Sequence, residues 1–113
     1  MPFINVKTNA KLTAEQAEAI KSQFGEAIMT IPGKTEGWLM VGLEDGYQLY
    51  FRGTQEPAAM VSVSLFGSPS PDATDALTGA LTAILNEALG ISADRIYVSY
   101  MMTNQWGWNG SNF

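Results

Sequence analysis

The 113-residue chain contains no cysteine and no histidine. Those two absences remove disulfides, thiol nucleophiles, serine–histidine dyads and histidine-ligated metals together. A catalyst built here has to use an amine, carboxylates, tyrosine or backbone groups. Cations are scarce as well: six Lys and Arg stand against eleven Asp and Glu, for a net charge of −5, and the six nowhere cluster. That balance speaks against nucleic acid or an anionic membrane as partner. No run approaches the 18 or so apolar residues that a membrane-spanning helix needs. Residues Met1 to Lys7 also lack the basic segment and apolar run of a signal peptide, so the expected location is the cytoplasm, with leaderless secretion the alternative. What is present is a 46% apolar chain with three Trp, five Phe and four Tyr, the composition of one folded domain over residues 1–113.

Pro2 directly follows the initiator Met1. Met aminopeptidases remove Met ahead of a small residue, which would leave Pro2 as a free secondary amine. An α-amino group titrates near 7.7–8.0 in model compounds, closer to neutrality than any Lys. Apolar surroundings and a neighbouring cation would lower it further, toward the value a proton-transfer base needs at neutral pH. A proline after Met1 means little alone; with Met1 retained, its nitrogen is an inert amide.

The chain reads as strand, helix, strand, twice over. Phe3–Thr8 and Met60–Phe66 carry β-branched alternation. Thr13 with Gln16 forms a capping-box pattern that opens a helix with the apolar stripe Ala17, Ile20, Phe24, Ala27, Ile28 and Ile31, stopped by Pro32-Gly33. Ser70-Pro71-Asp72 opens a second helix that Gly90 closes. Trp38–Leu43 and Arg95–Met101 are the strands that follow. Gly33 and Gly90 lie 57 residues apart, and at that offset Ile20 meets Leu77, Phe24 meets Leu81, Ile28 meets Leu85, Ile4 meets Val61 and Val41 meets Val98. This predicts an α+β fold of two repeated βαβ units, a four-stranded mixed sheet with both helices on one face. Asp45-Gly46 predicts a hairpin adding a strand over Tyr47–Phe51. One sheet face is left bare and apolar in places, which favours self-association in a closed ring.

Few residues invite a chemical role. Gly33-Lys34-Thr35 is no phosphate loop, because Ile28 stands where that motif needs Gly and the segment follows a helix instead of preceding one. Lys34 is either a surface Lys at a helix C-terminus or an anion anchor at the sheet edge. The tail from Asn104 to Phe113, with Trp106 and Trp108 among Gly and Asn, reads as an aromatic flap over an interface or as the wall of a small-molecule pocket. Tyr97 alternates to the opposite sheet face from Ile96, Val98 and Tyr100, where it packs or donates a hydrogen bond at a subunit boundary. The carboxylates show no spacing for a metal or a glycosidase pair.

Taken together, Pro2, the doubled βαβ plan, Gly33-Lys34, Thr8-Asn9, Glu56-Pro57, Asp94-Arg95-Ile96-Tyr97 and the tail from Gly107 to Phe113 make the chain resemble the tautomerase superfamily. Within it, the likeness is to the macrophage migration inhibitory factor and D-dopachrome tautomerase branch, along essentially the whole length. The resemblance implies a cofactor-independent homotrimer with active sites at subunit boundaries. It implies Pro2 as general base and acid, and Lys34 with the Phe66 backbone N–H as the grip on a substrate carboxylate. Tyr97 would come from the neighbouring subunit, Ser99 would lie on the pocket wall, and Trp38, Trp106, Trp108 and Phe113 would form an aromatic rim with Phe3 beside the amine. The implied substrates are enolisable aromatic 2-oxo acids such as phenylpyruvate, and dopachrome derivatives. The alternative role is a secreted cytokine-like receptor ligand with vestigial enzyme activity. Two departures stand out. Ala58 and Val61 occupy the positions of the mammalian cytokine's redox cysteines, so that thiol chemistry is absent. Ser99 replaces an Asn and Trp106 a smaller aliphatic residue, which alters the rim and not the basic reaction.

Overall fold

A computed structural model describes residues 1–113. It contains strands β1 (Pro2–Thr8), β2 (Met40–Glu44), β3 (Ala59–Phe66) and β4 (Ile96–Thr103), and helices α1 (Ala14–Ala27) and α2 (Pro71–Leu89). A terminal ribbon of β5 (Gly107–Trp108) and β6 (Ser111–Asn112) follows. The sheet order is β2-β1-β3-β4, with β1 parallel to β2, β3 parallel to β4, and β1 antiparallel to β3. Each βαβ unit therefore supplies a parallel pair, and the two pairs meet back to back at the centre.

The helix signals act as the sequence suggests. Thr13 accepts the Gln16 amide at 3.0 Å while Gln16 Oε1 accepts the Thr13 amide at 2.9 Å, closing the capping box. Ser70 caps α2 ahead of Pro71, and Gly90 ends it in the left-handed region at φ 68°. One face of each helix meets one face of the sheet. The repeat reappears as burial: Ile20 and Leu77, Phe24 and Leu81, Ile28 and Leu85, Ile4 and Val61 are all fully buried. In the central pair Ile4 lies opposite Val63 and Val6 opposite Val61, the register that a two-fold relation between the halves requires.

Four boundaries differ from expectation. α1 stops at Ala27, and Ile28–Thr30 tighten into a 3-10 turn that still buries Ile28. Trp38 ends a second such turn, Glu36–Trp38, so β2 begins at Met40. Arg95 lies in a third turn before β4. The Asp45-Gly46 hairpin does not form, and Tyr47–Tyr50 pair with no strand of the chain. Asp45 instead accepts the Leu12 amide at 2.9 Å, while the Gly46 and Tyr47 amides donate to Ala10 and Thr8 carbonyls at 2.8 and 2.9 Å. Those bonds dock the segment on the β1–α1 loop, so it cannot fold back as a hairpin. Asn9 completes the anchor: its side-chain amide donates to the Leu49, Gln55 and Glu56 carbonyls, and its Oδ1 accepts the Ala58 amide.

The tail, read from the sequence as an aromatic flap or pocket wall, forms a hairpin. Asn109 and Gly110 have φ values of 53° and 90°, the double positive of a type I′ turn. The Phe113 amide extends the ribbon by bonding the Trp106 carbonyl at 3.0 Å.

Candidate active site

The N-terminal end of β1, the C-terminal ends of β3 and β4, the loop after α1 and the terminal ribbon converge at one corner of the sheet. Pro2 is buried as the first residue of β1, opposite Leu65, a position where a missing backbone donor costs no ladder bond. Gly33, at φ 81°, turns the chain out of α1 so that Lys34 faces this corner. Lys34 Nζ donates to the Phe66 carbonyl at 2.8 Å, and the Phe66 amide donates to the Met1 carbonyl at 3.1 Å. The N-terminal amine, here that of Met1, lies near enough to Lys34 to feel its charge. Met1, Lys34 and Phe66 thus close a ring of contacts at the start of β1.

The electrostatics of that ring favour a neutral amine. Its pKa is lowered from 8.0 to about 6, first by burial, then by the hydrogen bond with Lys34 and the Lys34 charge. With Met1 in place the titrating nitrogen is the Met1 amine, and Pro2 contributes an amide nitrogen. The Phe66 N–H is likewise taken by the Met1 carbonyl. Removal of Met1 uncovers both groups at once.

Aromatic side chains wall the corner. Trp38 and Trp108 meet edge to face at 5.0 Å, Trp108 stacks on Phe113 at 6.3 Å, and Phe113 tilts against Phe66 at 5.4 Å. A hollow of about 340 Å³ opens among Met1, Pro2, Phe3, Trp38, Trp106 and Trp108. A second, of about 390 Å³, runs past Lys34, Phe66, Gly67 and Ser70. Phe113, in contact with Phe66 and Trp108, bridges the two. Both volumes suit a small aromatic molecule. No three Asp or Glu side chains come together to hold a metal ion.

Eight of the ten expected residues therefore gather: Pro2, Phe3, Lys34, Trp38, Phe66, Trp106, Trp108 and Phe113. Tyr97 and Ser99 do not. Tyr97 pairs with Met60 and Ser99 with Ser62, whereas Pro2 pairs with Leu65 on the same strand. At about 3.3 Å per residue Tyr97 is roughly 16 Å along β3 from the Pro2 level, so one chain cannot bring the two together. Sequence reasoning missed Gly37, Leu39 and Met40 in the first hollow and Ser68 and Ser70 in the second. These segments follow Gly33 and Gly67, which hold φ values of 81° and 101°, and the two glycines themselves were the signal the sequence offered. It also missed the seat of Glu36, whose side chain lies over Gly25 of α1 where a Cβ would collide with it.

Comparison with known proteins agrees with the geometry. The family model described as macrophage migration inhibitory factor (MIF) matches residues 1–113. The macrophage migration inhibitory factor of Rattus norvegicus is 30% identical over 115 residues, covering 100% of this chain and 99% of that protein. The homolog from Trichinella spiralis is 29% identical, with 100% of both chains covered. Among solved structures, Leishmania major MIF2 superposes with a TM-score of 0.93 at 32% identity, over 100% of this chain and 97% of that one. The Prochlorococcus marinus homologue gives a TM-score of 0.83 at 29% identity, with 98% of each chain covered. A buried Pro2 beside a lowered amine, a carbonyl-bound Lys34 and an aromatic terminal ribbon thus sit on a full-length match, and the chain belongs to the macrophage migration inhibitory factor family of the tautomerase superfamily.

Proposed function

We propose that the protein, once Met1 is removed, is a homotrimeric keto–enol tautomerase of enolisable aromatic 2-oxo acids of the phenylpyruvate type, with Pro2 as general base and acid. One observation carries the reading: the amine at the head of β1, here that of Met1, has its pKa lowered by burial and by Lys34, and a free Pro2 nitrogen at the same corner would meet the same Lys34 charge. A cation beside it disfavours the protonated form of that amine, which is what a proton-accepting base needs. Neutral Pro2 takes a proton from the carbon next to the ketone. The C–H electron pair becomes the C=C bond, and the carbonyl π pair moves to oxygen. Protonated Pro2 then gives the same proton to that oxygen, so atoms and charge balance without a cofactor. Lys34 and the Phe66 N–H, freed of the Met1 carbonyl, hold the carboxylate and orient the acid for transfer. Trp38, Trp106, Trp108, Phe113 and Phe3 receive the aromatic ring.

The trimer follows from what one chain leaves uncovered. Met40, Tyr97 and Met101, all on the sheet face without helices, are 67%, 60% and 58% exposed. Covering them with a neighbouring copy would remove this apolar surface from water, and would let Tyr97 and Ser99 of one subunit approach Pro2 of the next. Hydrolytic or decarboxylating chemistry, which would call for free guanidinium groups at the site, is disfavoured. Arg95 spends its donors on the Pro57, Phe51, Thr54 and Glu56 carbonyls, and Arg52 pairs with Asp94 at 3.5 Å.

The test is Pro2→Gly in protein verified by intact mass to lack Met1, assayed by ultraviolet absorbance of the phenylpyruvate enol. We expect loss of most activity with the trimer intact; full activity rejects the mechanism. A receptor-ligand role, which the names of the curated relatives favour, would instead survive in protein whose amine is blocked.

A further inference from the structure

We propose that Phe51 is a positioning residue: clamped between Arg52 and Arg95, it sets the orientation in which Tyr97 is presented to the neighbouring subunit's site. The inference rests on the reading above, in which Tyr97 contacts substrate across a subunit boundary.

Two tyrosines of β4 point to opposite faces and are held by different means. Tyr100, toward the helices, shares a 2.8 Å hydrogen bond with Thr78 and donates to the Thr74 carbonyl at 2.8 Å. Tyr97, on the open face, is held by an aromatic edge contact with Phe51 at 4.9 Å and 63°. A phenol that projects from a bare sheet face would otherwise sample several rotamers, each a loss of binding order.

Phe51 is itself unusually well fixed. The Arg95 guanidinium lies 5.2 Å from its ring centroid and that of Arg52 lies 5.1 Å away. Both cations are pinned by other bonds. Arg95 Nη1 donates to the Phe51 carbonyl at 3.2 Å, and its other nitrogens hold the Thr54, Glu56 and Pro57 carbonyls. Arg52, at φ 54°, leans on Asp94 at 3.5 Å. The loop also closes on itself through mutual backbone bonds between Phe51 and Thr54, at 3.0 and 3.1 Å. A cation on an aromatic face restrains the ring without covering its edge, and the edge is what Tyr97 meets. A small apolar slot of about 150 Å³ between Phe51, Met60 and Tyr97 leaves the phenol room to swing if the ring is lost.

The experiment is a double-mutant cycle on the Met1-free protein with phenylpyruvate, reading KM and kcat separately. Phe51→Leu is expected to raise KM roughly 2- to 10-fold, the size of an aromatic edge pair, with kcat little changed. Combined with Tyr97→Phe it should add nothing beyond Tyr97→Phe alone, because both remove the same ordered phenol. Phe51→Tyr, which keeps a ring between the two guanidiniums, should restore KM. Should Phe51→Leu fail to fold, Arg52→Gln removes one cation from the ring and should raise KM in the same non-additive way. If Tyr97→Phe raises KM but the Phe51 and Arg52 variants do not, or if the effects multiply independently, the positioning role is overturned and the tautomerase reading stands. If Tyr97→Phe itself changes nothing, the cross-subunit role of Tyr97 and this inference fall together.

Discussion

Replacing Lys34 by Gln separates the two tasks that the proposed mechanism gives to one ammonium group. Gln can still donate to the Phe66 carbonyl, which Lys34 now reaches at 2.8 Å, so the loop stays anchored. What disappears is the positive charge. A hydrogen bond to a charged group contributes about 1.5–3 kcal/mol, which at about 1.4 kcal/mol per decade predicts a roughly 10- to 150-fold loss in kcat/KM for a carboxylate substrate. Most of it should appear in KM, since the carboxylate carries its charge before and after proton transfer. The second effect is on the base. Burial is the largest cause of the lowered amine pKa, and the Lys34 hydrogen bond and charge come next. Lys34→Gln removes the latter two, and a Pro2 amine freed at the same corner would lose the same neighbouring charge, so its pKa should rise in the variant. Because the base works when neutral, activity falls as pH drops through that pKa, and the variant's acid limb should shift to higher pH. The assay is phenylpyruvate enolisation by Met1-free protein, followed as a pH profile across the neutral range. An unchanged KM with an unmoved acid limb would refute both assignments. A shifted limb with unchanged KM would keep the electrostatic role and remove the binding one.

Two further outcomes are expected. In protein that retains Met1, the folded amine titrates near 6 against 8.0 when unfolded, so the unfolded chain binds more protons between those values. Stability should therefore rise with pH across that window and be lost as pH falls toward 6. The other shifted groups, Asp94, Lys21 and Tyr100, titrate outside it. Thermal melts should show a rising Tm that acetylation of the amine flattens, and a slope that survives acetylation would contradict the assignment. Gly110→Ala puts a Cβ at φ 90° in open space, so its cost is backbone strain alone, about 1–2 kcal/mol. Since the ribbon is exposed, Tm should hardly move, while near-ultraviolet circular dichroism from the Trp38–Trp108 contact weakens and KM rises. An unaltered dichroism spectrum would show that the turn does not set the aromatic wall.

Local pattern carried far in this chain where the interactions it encodes are local. The caps at Thr13 and Ser70, the stop at Gly90 and the apolar stripes of α1 and α2 depend on neighbours three or four residues away, and they stand where the residues place them. The 57-residue repeat extended that reach, because two halves with one pattern bury equivalent residues on one sheet. The two glycine turns show where local chemistry is overruled. Asp45-Gly46 and Asn109-Gly110 offer similar hairpin chemistry, yet the first is captured by the Leu12 amide and the Thr8 and Ala10 carbonyls. The second has no such competitor and closes between Trp108 and Ser111.

From the sequence alone came the class of fold, the repeat, the cast of candidate residues and the chemistry left open by the missing Cys and His. Tertiary structure decided which of those residues share a corner, and that Tyr97 and Ser99, on β4, sit away from the level of Pro2 within one chain. It also placed the Met1 carbonyl on the Phe66 N–H. The physical reason is range. Capping and periodicity are written within a turn or a strand, whereas the meeting of β1, Lys34 and the terminal ribbon depends on contacts between residues far apart in the chain. The lowered pKa is a property of that meeting and of no residue by itself.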